Sequence, residues 1–183
     1  DVEYTEGGTL MDLAASWWSD HLLMQVVEGS NDELIVRLAA TYPNSPDEQD
    51  MCMKTADTTS LEFDDPELGV ELPELLFASE KAAVTLYDLH VGGTFVPDGS
   101  SLEGLSVSTK VDVRDLLGLL GITNPDDWDG GCELADWMGS ECVPCPNDGG
   151  PYCLTIAARR GLGVEVPTAL QDVEEANAHP FCP

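Results

Sequence analysis

Between Leu105 and Val113 the chain alternates without a break. Leu105, Val107, Thr109, Val111 and Val113 fall on one side, and Ser106, Ser108, Lys110, Asp112 and then Arg114 on the other. A period of two sustained this long demands extended chain with one face buried, because successive side chains of a strand point to opposite faces. Just upstream, Val84, Leu86, Asp88 and His90 alternate with Thr85, Tyr87, Leu89 and Val91. Between the two runs, "VPDGSS" supplies Pro97 and Asp98-Gly99 for a reversal. The stretch predicts an antiparallel hairpin. A second is predicted for "HLLMQVVEGSNDELIVRLAATY", where Leu34, Val36, Leu38 and Ala40 alternate with Glu33, Ile35, Arg37 and Ala39, and Gly29 to Asp32 turn the chain.

The remaining signals are shorter. "TLMDLAASWWSDHL" has helical spacing at Leu10, Leu13, Ala14, Trp17 and His21, with Thr9 as a cap. Residues 43–60 look like loop, and "RDLLGLLG" predicts one short helix capped by Asp115. "CLTIAAR" and "GVEVPT" read as late strands. No repeat at solenoid spacing is present. The expected fold is mainly β: an antiparallel β-sandwich or partly open barrel with one or two short helices and a disulfide-stapled C-terminal region. At 183 residues a single domain over 1–183 is expected, with 124–153 a turn-rich, cysteine-stapled subregion and 171–183 a tail pinned by Cys182. A hydrophobic content of 43% argues against disorder despite the charge.

That charge bounds the partners. Thirty-five Asp and Glu against seven Lys and Arg leave a net charge of −28. Nucleic acid and anionic lipid surfaces are excluded, because binding either needs a basic surface. Protein partners, self-assembly, divalent cations and salty surroundings remain. A folded chain of this mass exposes roughly 8,600 Å², so net negative charges lie about 17 Å apart. No apolar run approaches the ~18 residues of a membrane span. The chain opens at Asp1 without an initiator Met or apolar leader, which reads as a mature form after signal-peptide removal or cleavage of a lipoprotein leader. No Asn-x-Ser/Thr acceptor occurs, Asn44-Ser45 being followed by Pro46, so an extracellular or bacterial cell-envelope location is favoured.

Six cysteines, Cys52, Cys132, Cys142, Cys145, Cys153 and Cys182, fit that compartment. The pair in "ECVPCPNDGGPYC" admits three chemistries. A thioredoxin-like redox centre needs a helix starting at the first cysteine to stabilise its thiolate. "PNDGGP" after Cys145 does not allow one. A zinc site among Cys132, Cys142, Cys145 and Cys153 lacks a second close pair. Disulfides are therefore predicted for all six, with 15 pairings open.

Two further clusters carry candidate chemistry. Asp126, Asp127, Asp129, Glu133 and Asp136 in "NPDDWDGGCELAD" are candidate ligands for a weak calcium site, although Pro125 stands where the first ligand of an EF-hand belongs. Asp88 and His90 with Ser106 or Ser108 form a Ser-His-Asp inventory, but no Gly-x-Ser-x-Gly elbow, P-loop or HExxH motif accompanies it. A solvated face with Lys110 and Arg114 paired to acids accounts for these residues. No catalytic residue and no cofactor other than calcium is expected. Trp17 and Trp18, adjacent and so on opposite faces of an extended chain, are candidate binding aromatics.

The order of "GTFVPDGSSLEGLSVSTKVDVRDL" and "CVPCPNDGGPYCLTI", over residues 90 to 160, resembles uncharacterised disulfide-containing secreted proteins and lipoproteins of myxobacteria and related deltaproteobacteria. In that group a C-x-P-C-x-D-G…C segment also lies near the C-terminus; here Asn147 is an extra residue before Asp148-Gly149. The resemblance implies location and disulfides, and no activity. The expected function is a non-enzymatic secreted or envelope binding and assembly module, a subunit of a surface or extracellular structure. The alternative is a carrier holding an apolar ligand inside the β fold, lined by the inner faces of 22–40 and 83–113.

Overall fold

A computed structural model describes residues 3–6, 22–29, 33–42, 45–58, 61–78, 83–118, 120–124, 126–164 and 169–174. The strands are β1 (Glu3–Glu6), β2 (Leu22–Gly29), β3 (Glu33–Tyr42), β4 (Ser45–Gln49), β5 (Ala56–Asp57), β6 (Leu61–Glu62), β7 (Glu67–Ala78), β8 (Ala83–Phe95), β9 (Ser101–Asp112), β10 (Cys142–Val143) and β11 (Cys153–Val164). Two helices, α1 (Val113–Leu116) and α2 (Trp128–Trp137), lie between β9 and β10. All pairings are antiparallel. The larger sheet runs β1-β11-β9-β8-β7, with β10 also on β11, and the smaller runs β2-β3-β4, with β5 and β6 also on β3. The fold is sandwich-like, mainly β, and one sheet curls into a half-barrel.

Both predicted hairpins form. β8 and β9 turn through 97–100, where the Asp98 carboxylate accepts from the Ser100 amide and Gly99 sits at φ +73°. β2 and β3 pair from Leu22↔Ala40 to Gly29↔Leu34. The inner face of β3, with Leu34, Val36 and Leu38, meets Leu68, Val70, Leu72 and Leu75 of β7, Leu89 and Val91 of β8 and Leu102 of β9. Val36 and Leu38 are completely buried.

Strands of twelve and thirteen residues reach about 40 Å, more than the small sheet covers. The same face therefore continues under a second cover. Leu86, Val111 and Leu154 lie side by side in neighbouring strands, and Val84, Val111 and Leu154 pack against Val113, Leu116 and Ala135 of the two helices. Leu86 touches both clusters, so one sheet carries two adjoining cores.

The alternation in β8 changes phase. Val84 and Leu86 face inward, but so do Leu89 and Val91, because Asp88 (φ +48°) makes a bulge against β9 between Tyr87 and His90. An extra residue on one strand leaves all later side chains on the opposite face from the simple count. β7 changes phase beside it, from Leu68, Val70 and Leu72 to Leu75, with Pro73 at the break.

Three local expectations are corrected. Asp112, not Asp115, caps α1: its carboxylate accepts from the Arg114 amide, whereas Asp115 accepts from the Thr85 amide at 3.0 Å. Asp112 holds the extended φ/ψ a cap requires. Burial of the Asp115 carboxylate raises its pKa. Residues 43–60 contain β4 and β5 instead of loop alone. The stapled segment 124–153 contains the ten-residue helix α2 among its turns.

Near the C-terminus, 169–174 straps the outer face of the small sheet. Leu170 packs on Leu23 and Ala39. Gln49 and the Gln171 backbone exchange two hydrogen bonds of 2.7 and 2.8 Å, and Thr55 and Val173 exchange backbone and hydroxyl bonds of 3.0 Å. Arg37, only 14% exposed, pairs with Asp57 at 2.6 Å and with Asp172 at 3.1 Å. Arg37 hydrogen bonding holds the Asp57 carboxyl below its usual range. The helical reading at 9–21 and the pinning of the tail at Cys182 lie outside the described residues.

Candidate functional site

The stapled corner begins at α2. Its N-cap is Asp127, whose carboxylate accepts from the Gly130 amide at 3.2 Å. Gly131 lets the helix lie directly on α1, since a Cβ there would meet Leu117 Cδ2 at 2.6 Å. Cys132 on α2 is bonded to Cys142 on β10, and Cys145 to Cys153 at the start of β11. The CVPC pair is thus divided between two staples, closing loops with sequence separations of 10 and 8. Each contributes about 2.5 kcal/mol in the chain-entropy model. Cys52 is also disulfide-bonded, while Cys182 lies outside the described residues. Among the described residues no cysteine is free. Thiol titration of the denatured protein should find no reactive thiol, and metal analysis no stoichiometric zinc. Four thiols accompanied by one zinc would reverse this assignment.

Beside the staples lies a polar network of which the sequence showed only the pairing of Arg114 with an acid. The Arg114 guanidinium donates to buried Asp112 through Nε (3.0 Å to each oxygen) and Nη2 (2.6 Å). It also lies 3.7 Å from the centroid of the Tyr152 ring, which packs on Trp128 at 5.8 Å. The Tyr152 hydroxyl donates to Asp148, whose other oxygen accepts from the Gly150 amide at 2.9 Å. These two bonds, the hydroxyl first, hold the Asp148 carboxyl below its usual range, while the bond to Asp148 pushes the Tyr152 phenol up. Asn147 Nδ2 donates to the Tyr87 hydroxyl at 3.0 Å, tying the loop to β8. The network's groups are engaged with one another, which fits a structural role.

The acidic calcium candidates do not converge. Asp127 is spent on the cap, the Asp126 amide donates to Asn124 Oδ1, and Asp129, Glu133 and Asp136 are exposed along one helical face. Among the described residues no three His, Cys, Asp or Glu side chains gather to hold a metal. The Asp88 bulge likewise separates the Ser-His-Asp inventory. Asp88 pairs with Lys110 Nζ at 3.0 Å, while His90 Nδ1 lies 3.3 Å from Glu71 Oε1 and His90 stands opposite Ser108. Trp17 and Trp18 lie outside the described residues. Among the described residues the exposed aromatic is Trp137 at the end of α2, 84% exposed; it was legible only to a reading that found the helix.

The sheet edges differ more than any pair of side-chain clusters. Among the described residues β2 pairs with β3 alone. Six consecutive residues, Leu22 to Val27, carry no charge, and Leu22, Val26 and Val27 are 39–41% exposed. β7, which ends the larger sheet, presents exposed Glu67, Glu71 and Glu74 and is interrupted by Pro73. The outer side of β11 meets β1 and β10. Charges and prolines are how native edges avoid pairing with foreign strands; β2 has no proline, and its one charge, Glu28, lies at its far end beyond the run from Leu22 to Val27.

The chain matches no family model. No curated protein and no solved structure matches it either. Among the described residues no helix is long and apolar enough to cross a membrane.

Proposed function

We propose that the protein is a non-enzymatic binding and assembly module of an extracellular or bacterial envelope structure, joining its partner by strand addition to β2. The observation that carries this reading is the β2 edge: long, uncharged over six residues and apolar, in a chain of net charge −28. Free N–H and C=O groups along such an edge are a template for another strand, and the apolar side chains supply affinity. The disulfides fit an oxidising compartment. The side chains that would line a carrier's cavity instead pack against one another between the sheets, which supports assembly over ligand transport.

Divalent cations strengthen the assembly by screening and bridging carboxylates. Light scattering and electron microscopy of the protein, from its native source and purified, with millimolar calcium or with chelator, test the proposal. Species larger than the monomer, growing with calcium, are expected. A monomer in the native source and in both buffers overturns the reading and puts the ligand carrier ahead.

A further inference from the structure

We infer that the strand added to β2 is β2 of a second copy, making a two-fold dimer with a continuous antiparallel sheet. The inference rests on the strand-addition reading above and names its partner. Charge permits this occupant. Bringing together two molecules of net charge −28 is unfavourable almost anywhere on their surfaces, yet the six residues from Leu22 to Val27 bring no charge at all. Glu28 follows only at the far end, after the register shift between Val26 and Glu28.

Geometry makes the strip self-complementary. Met24 and Val26 stand opposite Leu38 and Val36 of β3, and Leu22 opposite Ala40, so Leu22, Met24 and Val26 share the inner face. In an antiparallel pair, directly opposed residues point to the same face. A two-fold axis through Met24 therefore sets Leu22 of each copy against Val26 of the other, with Leu23 against Gln25 on the outer face. Among the described residues no strand lies beyond β2, and Leu22 and Val26 are exposed. The second copy would bury them as the next strand of a sheet does. A short uncharged run of high β propensity without proline or glycine is also what identical-strand pairing requires. The contact is isologous and closes at two copies.

Screening sets the conditions. At ~10 mM salt the Debye length is about 30 Å and the copies repel, whereas at ~200 mM it falls below 8 Å. Sedimentation of the full chain from ~1 to ~500 µM should find monomer at low salt and a monomer–dimer equilibrium at high salt. Val26→Glu, which buries a carboxylate against Leu22 of the partner, should weaken the dimer about 10-fold or more. Leu76→Glu, an exposed position on β7, should leave it unchanged. Circular dichroism shows whether each variant keeps the fold, and hydrogen exchange of wild-type β2 amides gives a readout that needs no variant: protection over 22–29 should rise with concentration. A wild-type monomer at the highest concentration and salt overturns the second-copy inference, as does a dimer indifferent to Val26→Glu. Full protection of every β2 amide in dilute monomer would mean the edge is covered by its own chain, and overturns it as well. In the first two cases assembled particles in the native source would leave strand addition to another partner standing, whereas an edge covered by its own chain overturns both readings, so the two failures are distinguishable.

Discussion

Raising monovalent salt from ~10 to ~200 mM is expected to raise the melting temperature by on the order of 10 °C. The surface is 10469 Å² for 28 net negative charges, about one per 370 Å² and so roughly 19 Å apart. That spacing lies well within the ~30 Å Debye length of dilute buffer and is more than twice the ~7 Å of the saltier one. Unfolding relieves the repulsion, because the chain expands from a sphere of radius about 20 Å to a coil of about 45 Å. With the charge spread over those two sizes, the penalty for compactness falls by on the order of 10 kcal/mol across this salt range. Half of that, allowing for condensed counterions, still moves a protein of this size by about 10 °C or more, at 2–4 °C per kcal/mol. Salt also weakens ion pairs, which acts the other way. Among the described residues Arg37, Lys110 and Arg114 pair with carboxylates; the exposed Lys110–Asp88 pair contributes about 0–1 kcal/mol, and the more buried Arg37 and Arg114 pairs are screened less. Repulsion wins by magnitude. A flat or falling melting curve would mean that bound cations already neutralise the carboxylates.

The β8–β9 hairpin was legible because Leu105 to Val113 alternates for longer than a bulge-free helix or loop allows, and "PDG" marks its turn. The longest partner of that hairpin, β7, was not. Its inner set runs Leu68, Val70, Leu72 and then Leu75, so the period breaks where Pro73 stands, and proline argues against a strand unless the strand is at an edge. Edge position is a property of topology, which no local window contains. The same is true of β2: the hairpin reading of "HLLMQVVEGSNDELIVRLAATY" predicted a strand there, but that it has no second neighbour among the described residues is visible only once the sheet order is known.

Helix α2 was hidden by composition. Gly130 and Gly131 lower the helix propensity of its first turn by about 1 kcal/mol each relative to alanine. The reason for Gly131 is tertiary, the approach of Leu117. Disulfides were legible from cysteine number and spacing, but Cys132–Cys142 and Cys145–Cys153 depend on α2 and β10 flanking β11, which spacing does not encode. The candidate site thus rests on two features, an open edge and a helix packed through a glycine, that belong to the assembled fold.

Arg114→Ala is expected to destabilise the protein by about 2–4 kcal/mol, lowering the melting temperature by roughly 6–12 °C. Asp112 is 4% exposed, and its carboxylate is met by the Arg114 amide, Nε and Nη2. Removing the guanidinium leaves a buried charge with a single backbone donor, the costly way to break a pair. The upper end of the usual 3–5 kcal/mol is discounted because Arg114 itself is 38% exposed and partly screened. Loss of the cation over the Tyr152 ring adds about 0.5–1 kcal/mol within that range. Arg114→Lys should recover only part, since an ammonium cannot make the two-pronged contact with both oxygens. Asp148→Asn provides the contrast: Asp148 lies 4.0 Å from Arg114 Nη2 and is 46% exposed, so its loss should cost clearly less than that of the guanidinium. Thermal and urea unfolding of the three variants measure these differences. If Arg114→Ala costs no more than Asp148→Asn, water replaces the guanidinium at Asp112, and the network beside the staples is an ornament of the surface instead of a support of α1.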